Sequence, residues 1–312
     1  MSLYRQNLPQ AKGDIFLADG GLETTLVFHD GLDLTCFAAF PLLDTVKGRD
    51  ALRGYFARYL QIAAKNGMGF ILDTPTWRAN TDWGAKVGYD QPALDRINRA
   101  AVAFIDDLRA NLANAGKPIV LSGVIGPRGD GYVAGEAMSE AEAETYHARQ
   151  AVAFADSACD MVSATTMTNV PEAIGIARAA KAAGMPVVIS FTVETDGRLP
   201  TGDTIAQAIA ATDRATGGYP AYFMINCAHP THFQEHLGKG EWIQRIGGVR
   251  ANASAKSHAE LDTATELDPG DPQELAEQYR ELRRLLPRAN VLGGCCGTDH
   301  RHIEHISHRC AA

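Results

Sequence analysis

The sequence has no long hydrophobic run. Although 46% of its 312 residues are hydrophobic, no segment approaches the roughly 18 consecutive apolar residues that a membrane-spanning helix requires. The first residues, 1–14, are polar and lack the apolar centre of a secretion signal. We therefore expect a cytoplasmic protein that has no membrane partner and buries its apolar side chains in a large core.

Positive charge is also scarce. The chain has 29 Lys and Arg against 37 Asp and Glu, which gives a formal net charge of −8. Its basic residues are scattered, and the pair Arg283 and Arg284 has the pattern of an exposed helix face. An acidic chain without a basic patch is not expected to bind nucleic acid or an anionic membrane surface. The expected partners are small molecules, and self-association stays open.

Cysteine is infrequent but concentrated. Three of the six cysteines lie in two short motifs, Asn226-Cys227 and Gly293-Gly294-Cys295-Cys296-Gly297. In a reducing compartment, adjacent cysteines are more often metal ligands or reactive thiols than disulfide partners. The remaining three, Cys36, Cys159 and Cys310, share no motif and are expected to be buried or incidental thiols.

Short apolar segments alternate with longer segments of helical periodicity along the whole chain. The predicted strands are residues 15–20, 68–74, 118–125, 160–165, 186–193, 221–227, 246–251 and 290–294. The predicted helices are residues 50–66, 92–115, 139–158, 171–183, 204–216, 231–237, 272–286 and 300–308. This alternation predicts an α/β fold in which residues 1–312 form a single parallel (β/α)8 TIM barrel domain. A doubly wound open sheet is the alternative, but residues 19–23 after the first strand do not form its phosphate-binding glycine-rich turn.

A barrel gives the cysteine positions a meaning. Cys227 would end the sixth strand, and Cys295 and Cys296 would end the eighth, at the rim where barrel enzymes build their active sites. Neighbouring residues of a regular strand point to opposite faces, so the two adjacent sulfurs can share an ion only where the backbone leaves the pleat. The surrounding glycines permit such a departure. A glycine-rich turn with two buried thiols is the other interpretation.

Three thiolates predict a catalytic Zn²⁺ site with an open fourth position. Such a site carries net negative charge, so it activates water poorly but suits a fourth sulfur ligand. Coordination deprotonates a thiol that would be mostly protonated at neutral pH. We therefore assign Cys227, Cys295 and Cys296 as catalytic metal ligands and predict methylation of a thiol rather than hydrolysis.

Several motifs resemble the zinc-dependent homocysteine S-methyltransferase family, which includes betaine–homocysteine and S-methylmethionine–homocysteine methyltransferases. The resemblance covers nearly the whole chain, and its specific markers are Asn226-Cys227 and the paired-cysteine motif that continues to Thr298. Asp19-Gly20-Gly21 is a weaker marker. The resemblance implies a (β/α)8 barrel that holds zinc on the three cysteines, with a small-molecule thiol acceptor and a methyl donor as its partners.

The resemblance also implies residues that contact the thiol substrate. Asp19 and the Gly20 amide would orient its amino acid group, Thr74 and Thr76 would line the pocket, and Asn226 would order the rim beside Cys227. Two other roles remain open: Asp19 as a turn residue that bonds its own backbone, and the two threonines as structural residues.

The chain departs from the family at the end of the fourth strand. Relatives carry a glutamate that receives the homocysteine ammonium, whereas this chain has Thr165. A hydroxyl cannot supply that ionic pairing. Phe37 stands in place of a family tryptophan, and residues 250–254 keep only an asparagine of their family motif. Zinc–thiolate chemistry is unaffected by these changes, but the identity of the thiol is not settled.

Three hypotheses follow. The first is methyl transfer from a sulfonium or quaternary ammonium donor to homocysteine, which gives methionine. The second keeps this chemistry with a different small thiol or selenol. The third is a non-catalytic zinc-binding or redox-sensing barrel that uses Cys295 and Cys296 as a switch and has no donor pocket. A further possibility is a methyl-transferring module that works with a corrinoid partner. It would need a separate corrinoid-binding subunit.

Further polar and aromatic residues are candidates for the same rim. Trp77, Trp83 and Tyr89 follow the second strand, where aromatic rings could face a cationic methyl donor. His229 and His232 lie just beyond Cys227. Four histidines, at positions 300, 302, 305 and 308, share the last helix, for which a solvated face is preferred over a second metal site.

Overall fold

Eight parallel strands close into a barrel in the computed structural model, which describes residues 1–111 and 116–311. The strands follow one another around the barrel in chain order, and β1 pairs with β8 to close it. The predicted (β/α)8 architecture is therefore confirmed.

The strands are β1 Phe16–Leu17, β2 Gly69–Asp73, β3 Ile119–Ile125, β4 Met161–Met167, β5 Val187–Phe191, β6 Tyr222–Asn226, β7 Ile246–Ala251 and β8 Val291–Gly294. The α-helices of the described residues are α1 Leu22–Thr24, α2 Val46–Lys65, α3 Thr81–Lys86, α4 Gln91–Asn111, α5 Glu140–Ala155, α6 Val170–Ala182, α7 Ile205–Thr216, α8 Pro230–Phe233, α9 His258–Asp262, α10 Pro272–Leu285 and α11 His300–Cys310. A π-helical segment, Thr25–His29, continues α1.

Most element boundaries agree with the sequence, and the differences have local causes. The helix α2 begins at Val46 rather than 50 because the Thr45 side chain caps it by accepting a hydrogen bond from the Gly48 amide. The helix predicted for 92–115 extends into residues outside the described part of the chain. The prediction of one helix over 231–237 is wrong, because Phe233 buries its ring with non-helical backbone angles and α8 ends there.

The core has two layers, and every residue of β2, β5 and β6 is buried. Burial on both faces is the property of parallel strands covered by helices. Inside the barrel, side chains such as Phe16, Ile71, Val120, Val188 and Met224 pack on one another. The larger layer lies between the strands and the surrounding helices.

The N-terminal segment covers the amino ends of the strands. Leu8 and Tyr4 pack on the inner layer of the barrel. Asp160, fully buried, accepts hydrogen bonds from the amides of Leu3 and Tyr4 at 2.7 and 2.8 Å and pairs with Arg109 at 3.0 Å. This end of the barrel is therefore filled, and the carboxyl ends of the strands remain available for a site. Among the described residues, no helix combines the length and hydrophobicity of a membrane span.

The turn after β1 packs directly on the turn after β8. The Gly21 amide donates to the Thr298 carbonyl at 3.0 Å. A Cβ atom on Gly21 would lie 2.3 Å from Thr24 Oγ1 and 2.7 Å from the Cys295 carbonyl oxygen. Gly21 is therefore required by a close approach of two backbones, one of which carries Cys295.

Replacing Gly21 by alanine should lower the free energy of unfolding by about 1–3 kcal/mol, because an added methyl group must displace the Cys295 backbone. The matched control is Gly54→Ala in α2, where a Cβ atom meets nothing within 4 Å. Helix propensity should make that variant more stable by about 0.5–1 kcal/mol. Urea denaturation measures both, and equal effects of the two substitutions would contradict the close-approach argument.

Candidate active site

A cavity of about 370 Å³ opens at the carboxyl ends of the strands. Its wall comes from the ends of β1, β2, β4, β6, β7 and β8 and from the loops after β3 and β7. This is the end at which (β/α)8 enzymes build their sites. Cys227, Cys295 and Cys296 all lie on the wall of the cavity.

The three predicted thiols converge. Their Sγ atoms lie within 4.8 Å of one another, and those of Cys227 and Cys296 are 3.6 Å apart. They are the one group of three or more Cys, His, Asp or Glu side chains with metal-binding spacing within residues 1–111 and 116–311. All six cysteines are free thiols.

Cys227 reaches the cavity through an unusual backbone conformation. Its φ is 58°, in the left-handed region that non-glycine residues rarely adopt. Its carbonyl oxygen accepts hydrogen bonds from His258 Nε2 at 2.7 Å, Asn252 Nδ2 at 3.1 Å and Thr192 Oγ1 at 3.3 Å. Such a conformation costs of order 1–3 kcal/mol and persists where the surroundings hold it. As a result, the side chains of consecutive residues, Asn226 and Cys227, both line the cavity.

The paired cysteines lie in a tight turn that follows β8. The Thr298 amide donates to the Cys295 carbonyl at 3.1 Å, and Gly297 has a φ of 80°. A turn with positive φ at this position favours glycine. The backbone thus leaves the strand pleat as the sequence predicts, and both sulfurs face Cys227. Gly294 serves close packing instead, since a Cβ there would lie 2.0 Å from Thr298 Oγ1.

The pKa values of the clustered thiols are shifted in opposite directions. Hydrogen bonds from Cys227 and Cys295, and a further one from Tyr132, hold the pKa of Cys296 well below its usual value. Hydrogen bonds to Cys295 and Cys296, together with burial, raise the pKa of Cys227 well above its usual value. One sulfur is therefore prepared as a thiolate while its neighbours keep protons that a bound metal ion would release.

Tyr132, in the loop after β3, contacts two of the three clustered cysteines directly. Its hydroxyl donates to Cys296 Sγ at 3.2 Å and lies 4.0 Å from Cys227 Sγ. Burial and the neighbouring thiols raise the pKa of Tyr132 well above its usual value, so the hydroxyl remains a donor. Its ring stacks on His258 at 4.2 Å between ring centres. One side chain therefore links the loop after β3 to the thiols and to the support of the Cys227 backbone.

Comparison with known proteins shows the family of this chain. The homocysteine S-methyltransferase family model matches residues 16–310. The chain belongs to the homocysteine S-methyltransferase family. Among solved structures, the metallated and oxidized forms of the homocysteine methyltransferase MmuM from Escherichia coli each align with a TM-score of 0.72 and 21% identity, covering 96% of this chain and 97% of MmuM. The apo form of MmuM aligns with a TM-score of 0.66 and 19% identity over 96% of each chain.

Asp19, which the family resemblance assigns to the thiol substrate, lines the cavity but has protein partners for both carboxylate oxygens. Arg250 binds one oxygen and the Tyr55 hydroxyl donates to the other at 3.0 Å. Burial raises the pKa of Asp19 to about 6, a shift that Arg250 opposes and the carboxylate of Asp73 adds to. Arg250 also binds Asp73, so two carboxylates share one guanidinium group.

The other predicted substrate contacts divide into cavity wall and supporting structure. Gly20, Thr74, Thr165 and Asn226 line the cavity. Thr76 is fully buried, and its hydroxyl bonds Thr74 Oγ1 at 2.6 Å and the Val124 carbonyl at 2.7 Å. This geometry gives Thr76 the role of fastening the end of β2 to β3.

A bulge in β4 places Thr165 at the cavity. The pairing of β4 with β5 shifts between Ala164 and Met167, and Thr166 has a φ of 63°. Asn226 fixes this bulge, because its side chain accepts from the Thr166 amide and donates to Thr166 Oγ1, both at 2.9 Å. The amide of Asn226 also lies 3.9 Å from Cys295 Sγ. These contacts of Asn226 join the end of β6 to the end of β4 beside Cys295 Sγ.

The aromatic and histidine candidates differ in their positions relative to the cavity. Trp77 lines the cavity, whereas Trp83 carries Lys86 over its ring at 3.7 Å, and Tyr89 packs on Phe40 and bonds Asp44. His229 and His232 bond loop groups, Thr231 and the Ala255 carbonyl, rather than the thiols. His302 in α11 is fully buried and bonds Asp299 and the Pro269 carbonyl.

Tyr132, Arg250 and Asp73 also line the cavity, although the sequence did not predict them as parts of the site. Arg250 and Asp73 are charged residues at the carboxyl ends of predicted strands, a signal that the barrel assignment made available. Tyr132 lies in the long loop after the third strand, but nothing in the sequence indicates that its hydroxyl reaches the cysteines. Glu23 is a further wall residue, and burial, with Cys295 and Asp19 adding to it, raises its pKa to about 7.

Cys296→Ala should abolish both stable zinc binding and methyl transfer, because two thiolates cannot complete the ligand set. The matched control is Cys310→Ala, a buried thiol in α11 that lies outside the cavity wall. Metal analysis after zinc loading and gel filtration measures the first property, and a turnover assay measures the second. Full zinc content and activity in the Cys296 variant would overturn the ligand assignment.

The raised pKa of Glu23 predicts that the stability of the metal-free protein depends on pH. Its pKa rises from 4.5 to about 7 on folding, so the folded state holds a proton that the unfolded state releases between these values. Stability contributed by this group is therefore lost as the pH rises through about 7. Glu23→Gln should increase the free energy of unfolding at about pH 8 and change it little at about pH 4.5. Urea denaturation in a chelator tests this, and an equal change at both pH values would contradict it.

Proposed function

We propose that this protein is a zinc-dependent S-methyltransferase that moves a methyl group from a sulfonium or quaternary ammonium donor to homocysteine, giving methionine. The observation that carries the proposal is the convergence of Cys227, Cys295 and Cys296 on the wall of a cavity in a member of this family. The cavity also argues against a non-catalytic redox switch, which requires no space for a donor.

The thiol geometry fits a zinc ion. Four ligands at roughly 2.3 Å from zinc lie about 3.8 Å apart in a tetrahedron. The 3.6 Å between Cys227 and Cys296 Sγ, with all three sulfurs within 4.8 Å, is close to this spacing. Three thiolates from this chain leave one position for a substrate ligand. When bound, zinc would supply ionisation and placement of the acceptor sulfur.

The chain's own residues would orient the reactants and hold charge around them. Tyr132 Oη donates a hydrogen bond to Cys296 Sγ, and Asn226 Nδ2 donates one to Cys295 Sγ. Both bonds would limit the negative charge on these sulfurs. Bringing donor methyl and acceptor sulfur together at near-attack distance lowers the entropic part of the barrier. The wall of the cavity would hold the two reactants in this arrangement.

The charge of the cavity supports a cationic methyl donor. Seven carboxylate side chains and two arginines line it, the carboxylates being Asp19, Glu23, Asp73, Asp130, Asp262, Glu266 and Asp268. A concave wall of one dominant sign raises the local concentration of oppositely charged ligands. Sulfonium and quaternary ammonium compounds carry the positive charge that such a wall favours.

A different small thiol or selenol is the second candidate acceptor, and one observation favours it. Thr165 presents a neutral side chain to the cavity, and Asp19 has both oxygens engaged by Arg250 and Tyr55. An α-ammonium group would therefore find no free carboxylate at either predicted position. An acceptor without that group would lose nothing at this part of the wall.

The direct test is a screen of the zinc-loaded protein. Homocysteine, other small thiols and a selenol are incubated with S-methylmethionine, S-adenosylmethionine or betaine, and methylated products are identified by mass spectrometry. We expect methionine from homocysteine, and zinc removal should abolish it. Absence of any methylated product from zinc-loaded protein would reject the proposed function, whereas product from another acceptor alone would select the second candidate.

Thr165→Glu should improve the use of homocysteine by adding an ionic partner for its ammonium group at the cavity wall. We expect kcat/KM for homocysteine to rise by about tenfold, which corresponds to about 1.4 kcal/mol. The matched control is Thr165→Gln, which has nearly the same shape but no charge. An equal or lower kcat/KM for the glutamate variant than for the glutamine variant would count against ammonium recognition at this position.

A further inference from the structure

Arg78, which follows β2, is a buried cation on the cavity wall with no strong ionic partner. Only 9% of the residue is exposed. Its guanidinium group lies over the ring of Trp83 at 3.6 Å and over that of Trp77 at 4.5 Å. The two rings hold the plane of the group in place through cation–π contacts.

The hydrogen-bonding capacity of Arg78 is largely unused. Its Nε and Nη1 atoms are buried without a hydrogen-bond partner. Its Nη2 atom lies 3.8 Å from Asp130 Oδ2, beyond hydrogen-bond length. The side chain of Asp130 is 44% exposed, and its Oδ1 atom accepts from the amide of Tyr132 at 2.7 Å. Asp130 therefore organises its own loop and compensates the buried guanidinium only weakly.

The second arginine of the cavity is fully engaged. Arg250 binds Asp19 and Asp73 and donates through Nε to the Gly294 carbonyl at 3.2 Å. Of the two cavity arginines, Arg78 alone keeps capacity for a ligand. Because burial of an uncompensated charge is costly, an arginine kept in this state is expected to meet an anion during function.

We propose that Arg78 is the residue that binds the carboxylate of the methyl donor. This inference rests on the proposed function and adds to it a residue that determines donor specificity. A guanidinium group is matched in shape and charge to a carboxylate. The acidic residues elsewhere on the wall would face the onium centre of the same molecule.

The location of Arg78 assigns the carboxylate to the donor rather than to the acceptor. The acceptor sulfur must join the three cysteines, beside the turns that carry Gly20 and Thr298. Arg78 is grouped instead with Asp130 and the aromatic rings of Trp77 and Trp83, between β2 and the loop after β3. A donor bound there would place its carboxylate on Arg78, beside the two tryptophan rings.

The experiment compares paired ligands that differ only in the carboxylate. Zinc-loaded protein is titrated with S-methylmethionine and its α-carboxamide, and with betaine and trimethylglycinamide, using calorimetry and tryptophan fluorescence. We expect the zwitterionic member of one pair to bind at least about tenfold more tightly in the wild type, as one charge-assisted contact permits. The responding pair identifies a sulfonium or an ammonium donor.

Arg78→Gln should remove this preference, so that the two members of the pair bind alike. Arg78→Lys, which keeps the charge but loses the planar donor set, should retain part of it. The matched control is Arg128→Gln, a half-exposed arginine in the loop after β3 that pairs with Asp82 and lies outside the cavity wall. The control should keep the wild-type preference, and the KM for the thiol should stay within about threefold in all three variants.

The outcomes separate this inference from the proposed function. Equal binding of carboxylate and carboxamide ligands by the wild type, or an unchanged preference in Arg78→Gln, overturns the role of Arg78. A loss of affinity for both members of a pair to the same degree also overturns it, because that result indicates a structural effect. Carboxylate-dependent binding that Arg78→Gln removes, without methyl transfer to any thiol, supports the subsite while rejecting the proposed function.

Discussion

Closure of the parallel barrel is the constraint on which the site depends. Because β6 and β8 are separated only by β7 in a closed ring, their carboxyl ends meet at one rim. Cys227 lies 68 residues before Cys295 in the chain, yet the Sγ atoms of Cys227, Cys295 and Cys296 lie within 4.8 Å of one another. Neither motif could collect three thiols alone. The barrel brings the two motifs together, and local backbone irregularities then orient the cysteine side chains toward one another.

Those irregularities are concentrated where the wall of the cavity changes from strand to loop. Cys227 and Thr166 both have left-handed backbone conformations, at the ends of β6 and β4. Asn226 lies between them and bonds the Thr166 backbone, while His258 bonds the Cys227 carbonyl. The free-energy cost of these conformations is offset by hydrogen bonds that a regular strand would not make. Positioning of the thiols and shaping of the cavity are thus parts of one structure.

Buried charge divides the cavity into two regions. Around Asp19, Asp73 and Arg250, opposite charges are paired within the protein, and removing one member would leave a buried charge uncompensated. Around Arg78, pairing is incomplete and tryptophan rings provide the support. The charges of the first region therefore stabilise the protein itself. The second region keeps hydrogen-bond donors that a ligand can use. The family resemblance alone would assign Asp19 to the substrate, whereas Arg250 and Tyr55 already occupy both of its carboxylate oxygens.

The sequence by itself determined the strand–helix alternation, the three cysteines and the neutral Thr165, because periodicity, glycine-flanked motifs and residue type are local properties. Only the tertiary structure decided the partners of Asp19, the contact of Tyr132 with Cys296 and the incomplete pairing of Arg78. Each of these depends on which side chains from distant segments meet at the rim. Charge pairing and burial arise from that meeting, and no pattern within one segment encodes them.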